Sequence, residues 1–416
     1  MRILWVKAGK LLPINTGGRI RSYNILHYLA NGHDVTVFSY YQGKQDPSYD
    51  EALSRHFSDT VCIATGAPGN GSPRLLRTLH YLSKLCRASP YAVSQFDSKR
   101  VRLALRNYLQ SRRFDVAVCD FLAATSNFPN RVLIPTVLFQ HNVEAVLWQR
   151  QSRVGASPIA RLAFRVEAAK MNRYEPTAIG KFDHVVAVSD SDRRRMGGVP
   201  DDRITVVPTG VDIEKFARKE VAMVSDPVVV FTGTMDWEAN VDGIEFFCDE
   251  IWPMILAEIP DARLLIVGRE PGPRVKRLAS ASVEITGTVP SILEYLEKAA
   301  VVIVPLRIGG GTRLKIYEAM AMGKAVVSTS IGAEGLDVHP DRDIVLCNAP
   351  SEFAHRVIQL LRDENLRLKY GREAVKTVSL YDWAVIARRF EEVLAKATAV
   401  RTSKVRLQKP VDKGSV

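Results

Sequence analysis

A chain of 416 residues, 46% of them apolar, is too long for one ordinary core and holds enough apolar side chains for two or three domains. Its formal charge of +12 is concentrated: between Arg74 and Arg113 ten Lys or Arg stand against one acid, Asp97, and supply about three quarters of the excess. The five cysteines, Cys62, Cys86, Cys119, Cys248 and Cys347, are odd in number and lack metal-ligand spacing, which argues against a disulfide framework or a zinc site and fits a reducing compartment.

The opening MRILWVKAGK has too short an apolar run before Lys7 for a signal peptide, and no stretch reaches the roughly 18 apolar residues of a membrane span, so a cytoplasmic protein is expected. RILWV reads as a strand, KLLPINTGGR as a loop, RSYNILHYLANG as a helix closing on Gly32, and DVTVFSY as a second strand, the unit of a parallel sheet. Further strands are expected at 115–120, 136–141, 184–189 and 204–210. A second series follows a polar stretch near 211–226: PVVVFTG (227–233), RLLIVG (263–268), VEITG (283–287), VVIVPL (301–306) and AVVSTS (325–330). These near-continuous β-branched runs suit strands covered by helices on both faces, and they end in Gly, Pro or Thr, where open α/β sheets bind ligands. YDWAVIARRFEEVLAKA (381–397) reads as an amphipathic helix, and the residues after Thr398 as a disordered tail.

Residues 307–323, RIGGGTRLKIYEAMAMG, place Gly309, Gly310 and Gly311 directly before a helical run, with Thr312 as the expected N-cap. Lys315 stands where a capping-box glutamate would be, and Arg313 and Lys315 fall at the positive end of the helix dipole. Free backbone N–H groups and two cations together fit an external phosphate or diphosphate, with glycines that let it approach. The plainer alternative is a glycine loop with solvated charges. Glu318, one to two turns further on, can accept hydrogen bonds from a hydroxyl pair such as a ribose's. NTGGRIRS (15–22) repeats the pattern with Gly17, Gly18, Arg19 and Arg21, without the full G-x-G-x-x-G of a dinucleotide site. One such loop per domain suggests a ligand held between them.

The stretch Val301 to Leu336, VVIVPLRIGGGTRLKIYEAMAMGKAVVSTSIGAEGL, resembles the donor-binding signature of the retaining glycosyltransferases of family 4. The similarity extends through GGRIRSYNILHYLANGHDVTVF, FQHNVE (139–144), VVAVSDSD, VVPTGVD and RLLIVG. It implies the GT-B fold, an α/β architecture of two doubly wound Rossmann-like domains facing across a cleft. The implied organisation is an acceptor-binding domain over 1–210, a nucleotide-sugar-binding domain over 211–378, a helix over 379–398 returning to the first domain, and a disordered basic tail over 399–416.

Carried over position by position, Glu318 matches the second glutamate of the family's E-x7-E motif, expected on the ribose hydroxyls. Gly310 stands where the first glutamate would contact the transferred sugar. In FTGTMDWEANVDG, relatives carry an Arg and a Lys after the equivalent of Gly233, whereas this chain has Thr234, Met235 and Asn240; Arg313 and Lys315 are inferred to take over part of that role. His141 matches the family's histidine near sugar and acceptor. The donor is expected against Gly17, Gly18, Gly233, Gly268, Gly287, Thr288, Gly309, Gly310, Gly311, Thr312, Leu314 and Glu318, and the acceptor against Asn15, Arg19 and Arg21. Trp237 and Trp383 read as packing residues.

The resemblance implies transfer of a hexose from a UDP- or GDP-sugar to a hydroxyl of a glycan or lipid-linked acceptor, with retained configuration, in envelope polysaccharide or glycolipid assembly. Catalytic roles fall to His141, Arg313, Lys315 and Glu318. No carboxylate pair supports double displacement, so same-face substitution is implied. No cofactor or metal is expected, because no D-x-D follows a strand and basic residues can neutralise the diphosphate. Within residues 73–113, PRLLRTLHYLSKLCRASPY sets Leu75, Leu79, Leu82 and Cys86 on one helical face. Against a plain solvated helix stands a peripheral contact with anionic lipid, worth about 1 kcal/mol per cation near the surface, on the inner face of the cytoplasmic membrane. Nucleic acid is not expected, since no binding motif accompanies the charge. A nucleotide-sugar epimerase on the same fold and an inactive sugar-nucleotide-binding subunit are the alternatives.

Overall fold

Runs of β-branched residues form the inner strands, which are largely buried as a parallel sheet covered on both faces requires, while the edge strands are only partly buried. In the computed structural model, which describes residues 1–407 except 70, 86, 112–113, 155–157, 218–225 and 310–312, the chain divides into two units. One comprises Met1–Val207 with the residues from Ile386 onward, the other Pro208–Val385.

The first unit contains β1 (Arg2–Ala8), β2 (Asp34–Tyr41), β3 (Asp59–Ala64), β4 (Val116–Asp120), β5 (Thr136–Phe139), β6 (His184–Ala187) and β7 (Ile204–Val206). All pair in parallel, in the order β3-β2-β1-β4-β5-β6-β7. Sequence reading missed β3: it is an edge strand, its residues mostly half-buried, so DTVCIA lacks the continuous apolar run of the others. The last helix, Trp383–Leu407, packs Phe390 against Trp5 and Phe139 at centroid distances of 5.4 and 4.9 Å, while Glu391 meets His33 at 2.9 Å. That helix continues to Leu407 instead of giving way to a disordered tail after Thr398; the stretch holds no breaker before Pro410. Residues 408–416 lie outside the described residues.

The second unit contains β8 (Val228–Thr232), β9 (Arg263–Val267), β10 (Val283–Gly287), β11 (Val301–Val304), β12 (Ala325–Ser328) and β13 (Val345–Leu346), ordered β10-β9-β8-β11-β12-β13 and again parallel. Trp383 lies over Gly210, where an added Cβ would come within 2.6 Å of the indole, so it packs as its sequence context suggests.

In each sheet the strand order reverses once, between β1 and β4 in the first unit and between β8 and β11 in the second. Side chains beyond the carboxyl ends of such strand pairs are where doubly wound sheets bind ligands. Both positions hold clusters of charged residues.

Candidate active site

In the second unit, β8 ends at Gly233 and β9 at Gly268, and the two loops touch. A Cβ on Gly268 would fall 1.6 Å from the Gly233 carbonyl oxygen, so only glycine fits there. Beyond β8, Asn240 donates from Nδ2 to the Thr234 carbonyl at 2.7 Å and accepts from Lys315 Nζ on Oδ1 at 2.9 Å. This fixes the lysine over the end of β8, where its Nζ lies 4.2 Å from the Phe231 ring centroid and a Cβ on Gly233 would be 2.7 Å from it.

The helix expected after the glycine run is Leu314–Ala321. Arg313, expected in its first turn, is instead the N-cap residue, with φ −95° and ψ 92° and 4% exposure. Its guanidinium lies 5.4 Å from the Trp237 ring centroid. Trp237 is thus half-buried beneath the site's arginine, and its cation–π contact gives it a place in the site as well as in the packing. Gly309 has φ +142°, and a Cβ there would meet Arg313 Nη2 at 2.2 Å, so both its conformation and the room it leaves require glycine. Gly310, Gly311 and Thr312 lie outside the described residues. Leu314 is buried, and Gly287, φ +69°, ends β10 beside exposed Thr288.

The charges strain against one another. Burial, followed by the neighbouring Arg313 charge, brings the Lys315 ammonium down to about 7, with Glu318 opposing. Burial raises the Glu318 carboxyl to about 7 against Lys215 and Lys315, which pull it down. Lys215 belongs to the short helix Ile213–Phe216, and sequence reading passed over it. Two cations crowd the positive end of a helix, an arrangement that an anion relieves.

In the first unit, Gly17 and Gly18 open the helix Gly17–Gly32. Arg19 donates to Asn15 Oδ1 at 3.1 Å and to the Pro13 carbonyl at 3.3 Å. Arg21 points inward, 3% exposed, with Nη1 3.0 Å from His141 Nδ1. His141 is 1% exposed, its Nε2 2.8 Å from Asp120 Oδ1. One face of its ring stacks on Phe121 at 3.7 Å, and Phe139 lies tilted against it at 4.1 Å. Asn15, Arg19, Arg21, Gly17, Gly18 and His141 are therefore gathered at one edge of this sheet, but the imidazole has both nitrogens engaged. Lys7 and Asp120 complete the cluster and escaped sequence reading. Their signal was a lone cation in the apolar strand RILWVKA and a lone acid ending VAVCD.

The family model described as "Glycosyltransferase Family 4" matches residues 17–215, and that described as "Glycosyl transferases group 1" matches residues 226–363. The chain belongs to glycosyltransferase family 4. This glycosyltransferase is 23% identical over 375 residues to an uncharacterized 44.6 kDa protein in the cps region of Klebsiella pneumoniae, covering 86% of this chain and 90% of that one. It is 28% identical over 232 residues to the phosphatidyl-myo-inositol mannosyltransferase of Mycolicibacterium smegmatis, which covers 53% of this chain and 58% of that one. Among solved structures, sucrose-phosphate synthase from Thermosynechococcus elongatus superposes with a TM-score of 0.70 at 16% identity, covering 96% of this chain and all of that one. The two parallel-sheet domains are those of the GT-B fold.

Proposed function

We propose that this glycosyltransferase moves a hexose from a nucleoside-diphosphate sugar, UDP- or GDP-linked, to a hydroxyl of a glycan or lipid-linked acceptor with retention at the anomeric carbon. The observation that carries the reading is the convergence of Arg313 and Lys315 at the N-terminus of the Leu314–Ala321 helix, over the touching glycine loops after β8 and β9. Phosphate oxygens fit such a place: backbone N–H groups, the helix dipole and two cations all favour negative charge there. When the sugar leaves, charge grows on the β-phosphate, and Lys315 and Arg313 stabilise it in place of a metal ion. Lys315, held by Asn240, supplies a cation to the strand end that in relatives carries its own Arg and Lys. Glu318 accepts hydrogen bonds from the ribose hydroxyls, which compensate the cost of burying its carboxylate. Gly310 offers no carboxylate to the transferred sugar, and the family resemblance favours a same-face substitution in which the departing phosphate takes the acceptor proton. Arg313→Ala is expected to lower transfer about a hundredfold, roughly 3 kcal/mol of lost transition-state stabilisation. Undiminished transfer removes Arg313 from the mechanism.

The lipid-linked acceptor is supported by the helix Arg74–Leu85, where Leu75, Leu79 and Leu82 are 70%, 53% and 52% exposed beside Arg77 and Lys84. Among the described residues no helix is long and apolar enough to cross a membrane. The surface suits peripheral contact with anionic lipid in envelope polysaccharide or glycolipid assembly. Vesicles containing anionic lipid should sediment the protein at low salt and release it at high salt; failure to sediment removes the membrane from the account.

A further inference from the structure

The charged cluster of the first unit contains a lysine with no part in the reading above. Lys7, 2% exposed, sits in the otherwise apolar β1, and strand register sets it directly across from Asp120 at the end of β4. Its Nζ lies 2.8 Å from Asp120 Oδ2 and 3.0 Å from Ser22 Oγ. Trp5 Nε1 donates to the same carboxylate oxygen at 3.0 Å. The other oxygen, Oδ1, faces His141 Nε2.

These contacts admit one form of the imidazole. An ionised carboxylate only accepts hydrogen bonds, so Nε2 carries the proton; a guanidinium only donates, so Nδ1, facing Arg21 Nη1, carries none. A second proton on His141 would have to displace Arg21 and would place a third cation beside Lys7 and Arg21 around the one carboxylate that touches the ring. The outlying charges are Asp192, which acts on Arg21, and Arg19, which acts on Lys7. Cys119, the neighbour of Asp120, is buried as a thiol.

We propose that Lys7 is a positioning residue: its ion pair with Asp120 supplies the positive charge that His141 would otherwise provide, and so fixes the imidazole as a neutral strut between Asp120 and the Arg21 guanidinium. The electrostatics agree. Burial holds His141 down at about 3 despite its bond to Asp120, and Arg21 and Lys7 push the same way. Burial works to raise the Asp120 carboxyl, but the Lys7 charge and the His141 bond hold it well below the usual carboxylate range. His141 is then no base for the acceptor hydroxyl, and its task is to hold Arg21 at the opening of the Gly17–Gly32 helix. The use of Arg21 toward an acceptor rests on the transferase reading; the protonation state of His141 does not.

The experiment is an NMR titration of the His141 ring in the full-length protein and in Lys7→Gln, which keeps a hydrogen-bond donor on the side chain but removes the charge. Lys7→Arg keeps the charge. In the native protein and in Lys7→Arg the ring should stay neutral, protonated on Nε2, from pH 8 to 5. In Lys7→Gln, with burial and Arg21 still opposing protonation, the ring should take up a proton on Nδ1 more readily than in the native protein, its titration lying measurably above the native one but below the ordinary histidine value. A Lys7→Gln ring that titrates where the native ring does, or a native ring that titrates near 6.5, overturns the proposal. Absence of transfer by the native protein would remove the acceptor role of Arg21 while leaving the titration to decide the role of Lys7.

Discussion

Replacing Lys315 by Met removes a cation whose surroundings define the diphosphate site while keeping most of its length. Nucleoside diphosphate binding should weaken by about 10- to 150-fold, the worth of a hydrogen bond to a charged group, roughly 1.5–3 kcal/mol. Protons report the same contact. With the ammonium titrating at about 7, only about a tenth of the free protein carries that charge at pH 8; a bound phosphate restores it, so binding should take up about 0.9 proton at this group. Calorimetry at pH 8 in buffers of differing ionisation enthalpy measures that uptake, and Lys315→Met should lose it. The unliganded variant serves as the folding control. Because the folded ammonium titrates below the unfolded value of 10.5, its burial cost is fully present at pH 7 and below and fades as pH rises toward 10.5. Lys315→Met should therefore melt higher than the native protein at pH 7, with the advantage shrinking above it. Binding within threefold of native, with unchanged proton uptake, would refute the reasoning.

Glu318→Gln should weaken nucleotide binding about tenfold, because an amide keeps one acceptor oxygen but loses the carboxylate charge that strengthens the ribose hydrogen bonds, measured by calorimetry. Its folded carboxyl titrates at about 7, above the unfolded 4.5, so the cost of ionising it is absent below 4.5 and complete above 7; the unliganded variant should melt higher than native at pH 8 and equally at pH 4.5. Gly268→Ala drives a Cβ to 1.6 Å from the Gly233 oxygen and should cost about 3 kcal/mol or more in urea unfolding, since backbone, not a flexible side chain, must give way. Chelating divalent metals should leave transfer unchanged in a radiolabelled-sugar assay if Arg313 and Lys315 neutralise the leaving diphosphate; complete loss would give that task to a metal.

Much of this architecture is legible in the residues because buried parallel strands write it plainly: VVVFT and VVIV can hardly be anything else, and each ends where a glycine or proline turns the chain. Edge strand β3 escaped because half-buried residues need no continuous apolar run. Of the site, Arg313, Lys315 and Glu318 were visible as charges at a helix start. Their partners were not: Asn240 and Trp237 lie some 75 residues earlier in the chain, and only the folded sheet brings them over the same strand end. His141 was legible as a residue at the end of a strand, whereas its enclosure depends on Lys7 and Asp120 meeting across β1 and β4, a matter of register.

The most direct test of the account is a crystal structure with a nucleoside-diphosphate sugar bound. Phosphate oxygens should lie within hydrogen-bond reach of Lys315 Nζ and the Arg313 guanidinium, with ribose hydroxyls on Glu318. A diphosphate seated away from both cations would contradict it.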